Sequence, residues 1–390
     1  MKSILTLLSL FLCTQLQAET SSLDKIVTDS IAFWRVTGCT VSIVRGDEIV
    51  LCKGYGVKQV NGKTDNAIDT HTRFPIASLT KSFTASAFGI LLDRGMVTLD
   101  TPVQKIYPLK LSDSYAASHL TFRDCLSMRS GLPGPSTFEL VFSDPHITRK
   151  QLLEKILPSI PLPLGFRSHF SYQNLLYLLA ATPLAPSYEN FIQKELLKPL
   201  EMSETLTSFS ALQKTSNRAY PHVWKQDHFE QILYENLDAF LPAMGLSSSA
   251  HDMTHYLFFL LNQGTYHEKK ILSPATQTEI FTPQTTATVA EFIGASSWQN
   301  ILFPTAQFIN YGLGCFINDY RGIKMIQVPG LCDGFVSILA IVPSLNLGIF
   351  ISANSESIYF THALLFQCID AFLEQKTDWN VLFHKHLLEQ

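Results

Sequence analysis

Ser78 and Lys81 stand three residues apart in "FPIASLTKSFTA", residues 74–85, where a helix is expected to begin. Residues three apart share one helical face, and the free N–H groups of a first helical turn favour developing negative charge. A serine so placed could act as a nucleophile and the lysine as its base, provided desolvation or nearby positive charge lowers the ammonium pKa toward neutrality. Spacing alone does not decide, because Ser22-Leu-Asp-Lys25 has the same pattern. A tyrosine could share the proton traffic. Tyr-x-Asn occurs as Tyr172-Gln-Asn174, Tyr188-Glu-Asn190 and Tyr234-Glu-Asn236, and only the first lies in a loop running into an apolar helix, "FRSHFSYQNLLYLL". The other two read as surface helix or loop positions.

These residues need a scaffold, and the 390-residue chain with 46% hydrophobic content can supply a large core or two smaller ones sharing a cleft. With 16% charged residues, a net charge of −4 and no Lys/Arg cluster, a nucleic-acid partner is not expected. The N-terminal "MKSILTLLSLFLCTQLQAET" reads as an export signal, residues 1–18, cleaved after Ala18. Other apolar runs are too short for membrane spans, so no transmembrane segment beyond the signal is expected. Neither C-x-x-C nor H-E-x-x-H occurs, which gives a metal site little support, and no cofactor is expected. Cys39 and Cys52 flank a hairpin where a diagonal disulfide is conceivable, with buried free thiols the favoured alternative.

Residues 40–55 alternate apolar and polar around "RGDE", as two strands and a tight turn. Toward the other end, "INYGLGCFIND", "GIKMIQVPG", "FVSILAIVPS" and "LGIFISANS" read as an antiparallel meander, followed by a helix in "IYFTHALLFQCIDAFLEQ". The middle is helical, beginning with a helix from Ser78 that stops at Gly95. The expected fold is therefore α+β: an antiparallel sheet flanked by helices, with a large helical insert. Its parts are a discontinuous sheet domain, 19–72 and 295–376, the insert, 73–294, and a C-terminal tail, 377–390. The cleft falls between sheet and insert, with Ser78 at the first crossing.

"TRFPIASLTKSFTASAFGILLDRGMVTLD", "LTFRDCLSMRSGLPG", "FSYQNLLYLLA", "MGLSSSAHDMTHYL", "YGLGCFI" and "DGFVSILAIVPSLNLGIFISANS" follow one another in an order that resembles the β-lactamase-related serine hydrolases over about residues 25–375. That family includes class C β-lactamases, penicillin-binding D-alanyl-D-alanine carboxypeptidases and esterases. The resemblance implies that Ser78 is acylated, that Lys81 is its proton partner, and that Tyr172 passes a proton to the leaving group. It further implies that Asn174 binds the substrate's amide or carbonyl side, that Gly330 and Leu331 line the substrate, and that the N–H groups of Ser78 and Leu331 form an oxyanion hole. The third family motif, Lys or His followed by any residue and Gly, is replaced by Val328-Pro329-Gly330. Loss of that cation weakens recognition of carboxylates and shifts the expectation toward less charged amides or esters. His169 is a candidate replacement cation and Gln327 a neutral one, while Ser130 and Gly131 are expected to shape a turn. The substrate implied is a small molecule or peptidoglycan-derived peptide, and the compartment a bacterial periplasm. The alternative is a catalytically silent member that binds an envelope ligand or partner.

Overall fold

The computed structural model describes residues 19–62, 65–134, 144, 146–184, 186–288 and 299–389, so the expected export signal lies outside the described residues. Strands β1 (Gly38–Arg45) and β2 (Glu48–Gly56) form the expected hairpin, with a bulge between Ile43 and Val44. A two-residue ribbon follows from β3 (Phe74–Pro75) and β4 (Ser247–Ser248). The rest of the main sheet comprises β5 (Thr285–Thr286), β6 (Ile309–Tyr311), β7 (Phe316–Tyr320), β8 (Ile323–Cys332), β9 (Phe335–Val342) and β10 (Leu347–Ala353). Its spatial order is β2-β1-β10-β9-β8-β7-β6-β5, antiparallel throughout, so the first hairpin closes against the last strand of the meander. The two ends of the chain thus build one sheet.

Helices cover both faces of that sheet. Helix α1 spans residues 19–34, α2 Thr80–Asp93, α3 Leu175–Ala180, α4 Ala250–Leu261, α5 Ile358–Phe372 and α6 Trp379–Leu388. The segment assigned to a C-terminal tail contains α6, and Trp379 Nε1 donates to Asp370 on α5 at 2.8 Å. On one face, Leu23, Val41, Ile338, Ile349, Leu364 and Phe383 share an apolar core with α1, α5 and α6. On the other, Phe83, Leu176, Tyr256, Val328 and Leu339 join the insert helices to the sheet. Coverage on both sides explains why β9 and β10 are buried at every residue instead of alternating.

Alternation along β1 also decides the cysteine question. Cys39 points into the α1/α5 core, whereas Cys52 lies opposite Ser42 and near Thr254 on α4. Side chains on opposite faces of a sheet cannot be bridged, and all six described cysteines are free thiols.

The insert's central helix is α2, which is buried from Thr80 through Leu91. Its interior hydroxyls find partners: Thr84 bonds the Pro242 carbonyl at 2.6 Å and Tyr188 at 2.7 Å, and Ser86 meets Tyr256 at 3.1 Å. The helix ends through Gly95 at φ +65°, the left-handed geometry that closes a C-terminus. This fixed central helix is what carries Lys81.

Candidate active site

Ser78 sits on a single 3₁₀ turn, Ala77–Leu79, between β3 and α2. Ala77 is held at φ +46°, a left-handed conformation that costs a non-glycine residue on the order of 1–3 kcal/mol. The surroundings compensate. Ile76 N–H donates to Leu246 O at 3.0 Å, Ser337 Oγ donates to Ile76 O at 2.7 Å, and Leu246 N–H donates to Thr80 Oγ1 at 3.2 Å. Strands β4 and β9 therefore clamp the turn that presents the serine.

Lys81, with 1% exposure, places its Nζ 3.0 Å from Ser78 Oγ, 2.8 Å from Asn174 Oδ1 and 3.0 Å from Ala243 O. Burial holds its pKa well below the ordinary lysine value. Nζ donates to Ser78 Oγ and to the carbonyl oxygens of Asn174 and Ala243, and burial disfavours its charged form. No carboxylate is among those three partners to restore the charged form. Tyr172 stacks its ring 4.6 Å from Nζ and its hydroxyl bonds Ser78. Burial raises the Tyr172 pKa despite that bond, which favours the protonated phenol. Asn174 immediately precedes α3, and the structure uses its carbonyl to orient Lys81.

The third side of the site is β8. An atom added at Gly330 would lie 2.3 Å from Ile76 O and 2.4 Å from Ser337 Oγ, so only glycine lets this strand approach the Ser78 turn. Val328, two residues earlier on the same face, is 4% exposed within the insert-side core and offers no charge. Gln327 cannot replace it, because its amide points to the opposite face and donates to Leu302 O at 3.1 Å. His169 is exposed, with Nδ1 3.4 Å from Leu164 O in its own loop. Leu331, 42% exposed, stands at the open edge.

Acids gather just beyond it. The Cys332 thiol is pushed up by burial and by the charges of Glu235, Asp333 and Glu356. Glu235 itself is raised to about 7 by burial and then by Asp333, and its Oε1 is buried without a hydrogen-bond partner among the described residues. The raised pKa means that Glu235 supports the fold fully below its unfolded value of about 4.5 and loses that support as pH rises through 7. Glu235→Gln is therefore expected to stabilise the protein at pH 8 by on the order of 1–3 kcal/mol and to change little at pH 4.5. Urea unfolding at both pH values measures the difference; equal effects at the two would refute the assignment.

Ser22 and Lys25 are exposed on α1, where Lys25 pairs with Asp29 at 2.9 Å, and take no part in the site. Tyr188, expected at the surface, is instead buried against Thr84, and Tyr234 is partly buried, donating to Ala219 O. Ser130 is buried and accepts from Leu132 N–H at 3.2 Å, a turn-forming role. Sequence reasoning missed the Ala243 carbonyl, since a backbone acceptor has no residue-type signal. It also missed Asp124, a fully buried carboxylate that accepts from Arg129 Nε at 2.7 Å and Arg167 Nη2 at 2.7 Å.

Among curated relatives, the chain is 25% identical over 379 residues to an unguisins hydrolase of Aspergillus campestris, covering 91% of this chain and 66% of that one. It is 26% identical to protein flp of Staphylococcus aureus, covering 86% of this chain and 63% of that protein. The chain thus spans about two thirds of the length of these relatives. The fold is similar to an octameric penicillin-binding protein homologue from Pyrococcus abyssi, with TM-score 0.75, 21% identity and coverage of 91% and 78%. It is also similar to a D-amino acid amidase from Ochrobactrum anthropi, with TM-score 0.73, 21% identity and coverage of 92% and 98%. The Beta-lactamase family model matches residues 23–364, nearly the whole described chain, and the protein belongs to that family of serine hydrolases.

Proposed function

We propose that this protein is an acyl-enzyme hydrolase of amides or esters lacking a carboxylate where the substrate meets β8. The observation that carries the reading is the buried Lys81 Nζ at 3.0 Å from Ser78 Oγ. Lys81 takes the hydroxyl proton as Oγ forms a bond to the substrate carbonyl carbon. The N–H groups of Ser78 and Leu331 stabilise the oxyanion. Collapse breaks the bond to the leaving amine or alcohol, which receives a proton through Tyr172. Water then attacks the acyl-enzyme, giving its proton to the same relay, and Ser78 is released with its hydrogen restored. Asn174 holds Lys81 and contributes its amide to substrate binding.

Substrate charge follows from the residues around the cleft. Val328 supplies no partner for a carboxylate, and Glu235, Asp333 and Glu356 near Cys332 disfavour one. The amidase and hydrolase names of the similar proteins support a neutral or amine-bearing amide. We propose export as well, through residues 1–18, with the mature chain beginning at Glu19. N-terminal sequencing of the protein recovered outside the cytoplasm checks that boundary; an intact Met1 there would refute it.

The test uses residues 19–390, incubated with a fluorophosphonate probe and read by intact mass beside Ser78→Ala. One adduct, absent in the variant, is expected, followed by faster hydrolysis of amino-acid amides and simple esters than of penicillin or peptides with a free C-terminal carboxylate. No adduct on folded protein would favour a silent binding role, the reading that Val328 motivates. Efficient penicillin turnover that depends on Ser78 would overturn the proposed substrate class.

A further inference from the structure

Away from the serine, three side chains distant in sequence converge at the far end of the β3–β4 ribbon. The ribbon pairs Phe74 with Ser248 and Pro75 with Ser247. Three residues beyond the Phe74–Ser248 pair in each chain direction stand His71, in the loop before β3, and His251, in the first turn of α4, tied by His251 N–H donating to Thr70 O at 3.0 Å. Glu204 completes the group: candidate ligand atoms of His71, Glu204 and His251 all lie within 4.8 Å of one another. His71 Nδ1 is already 2.8 Å from Glu204 Oε1, and the rings of His71 and His251 are 4.9 Å apart. From these positions we propose that His71, Glu204 and His251 bind a divalent transition metal, with Zn²⁺ the best-matched ion.

The donor set supports that choice. Two imidazoles and one carboxylate suit zinc, with solvent in the fourth position. The supporting contacts hold the donors in place, and the ion would replace the His71 Nδ1–Glu204 Oε1 hydrogen bond. His251 Nδ1 lies 3.3 Å from Asp252 Oδ1, which leaves Nε2 as the nitrogen for coordination. Asp252 is fixed in turn by Glu204 N–H and Thr205 Oγ1, each donating to Oδ2 at 2.8 Å. Ser249 Oγ donates to Glu204 Oε2 at 2.5 Å, which leaves Oε1 to face the ion.

Tetrahedral zinc needs ligand atoms about 3.3 Å apart, so the longest separation, up to 4.8 Å, must close by roughly 1–1.5 Å while the 2.8 Å His71–Glu204 pair opens slightly. The imidazoles can move that far, because the side chains of His71 and His251 are about half exposed. Arg73 Nη2, 3.9 Å from Glu204 Oε1, opposes the cation and places the affinity below that of a buried three-ligand site. His255 meets His251 edge-on, with ring centres 4.8 Å apart, but commits Nδ1 to Leu200 O at 3.0 Å, and it is not assigned as a ligand.

The consequence is mechanical. One end of the ribbon supports the Ser78 turn through Ile76 N–H and Leu246 O, and a metal at the other end would staple the loop before β3 to the start of α4. Ions that bind only the native state stabilise it in proportion to their saturation.

Chelator-stripped protein is to be titrated with Zn²⁺ and with Co²⁺, whose visible spectrum reports four-coordinate geometry. One metal per chain, intense tetrahedral Co²⁺ bands and a Tm rise of about 3–6 °C near saturation are expected. The double variant His71→Ala/His251→Ala should lose all three, while His228→Ala, an exposed histidine of the β-hairpin at 222–231, should retain them. The metal-free Tm of each variant guards against misfolding, and Glu204→Gln, which keeps the shape, should weaken binding at least tenfold. No stoichiometric metal at micromolar concentrations, or undiminished binding in the double variant, would overturn the site.

Discussion

Lys81→Met is expected to slow fluorophosphonate labelling of Ser78 by about 10²- to 10⁴-fold, the range typical for removal of a positioned base. Methionine has nearly the same length and no charge, so it fills the cavity and removes only proton acceptance and donation. The two buried carbonyl oxygens of Asn174 and Ala243 then lose a donor, so a lower Tm is expected beside the slower labelling. Because burial depresses the lysine pKa, labelling by the wild-type protein should rise with pH as Lys81 loses its proton and then level off. That limb should be missing in the methionine variant, whose residual rate tracks only hydroxide and solvent. The pair of measurements separates chemistry from structure: a misplaced serine would lower the rate at every pH while preserving the titration. A wild-type limb surviving unchanged in Lys81→Met would assign the base to another residue.

Part of this arrangement was legible in the chain. The Ser-x-x-Lys spacing, the proline before it and the glycine after the helix located Ser78 and Lys81 on consecutive turns, because local sequence controls local helix geometry. Tyr172 was separable from Tyr188 and Tyr234 by its apolar downstream helix. Alternation in the first hairpin and the meander also located the sheet. Burial of Tyr188 escaped the reading, since a polar-flanked tyrosine becomes core only when α2 is packed beside it. Two kinds of information were not local at all. Ala243 acts through a carbonyl that every residue type possesses, and the His71, Glu204 and His251 group exists only after β3 meets β4. No spacing rule could join positions 71, 204 and 251.

The same limit hides Asp124, whose replacement by alanine is expected to destabilise the fold by about 3–5 kcal/mol, the range for breaking a buried ion pair from one side. Its carboxylate begins as an ordinary helix device: Thr121 N–H donates to Oδ2 at 2.9 Å and completes a capping box on the short helix Phe122–Leu126. Two guanidinium groups then arrive from separate loops. Arg129 leads directly into the Ser130–Gly131 turn, and Arg167 begins the loop that carries Tyr172. Burial alone would raise the Asp124 pKa, but Arg167, Thr121 and Arg129 reverse the shift and hold it below the usual value. The linked stability is present above the unfolded pKa of about 3.8 and is lost as pH falls through the lower folded value. In Asp124→Ala the two guanidinium groups lose the buried carboxylate that joins them and keep only the more distant charge of Asp100, so the loops separate and Ser171 N–H loosens from Met128 O, now 2.8 Å away. Urea denaturation should show the loss of stability, and fluorophosphonate labelling under conditions where the variant remains folded should also slow, because Tyr172 adjoins Ser171. Asp124→Asn, which keeps the acceptor on Oδ1 but not the charge, should fall between wild type and alanine. Equal stability of Asp124→Ala and wild type at neutral pH would show that this buried junction does not fasten the loops that frame the site.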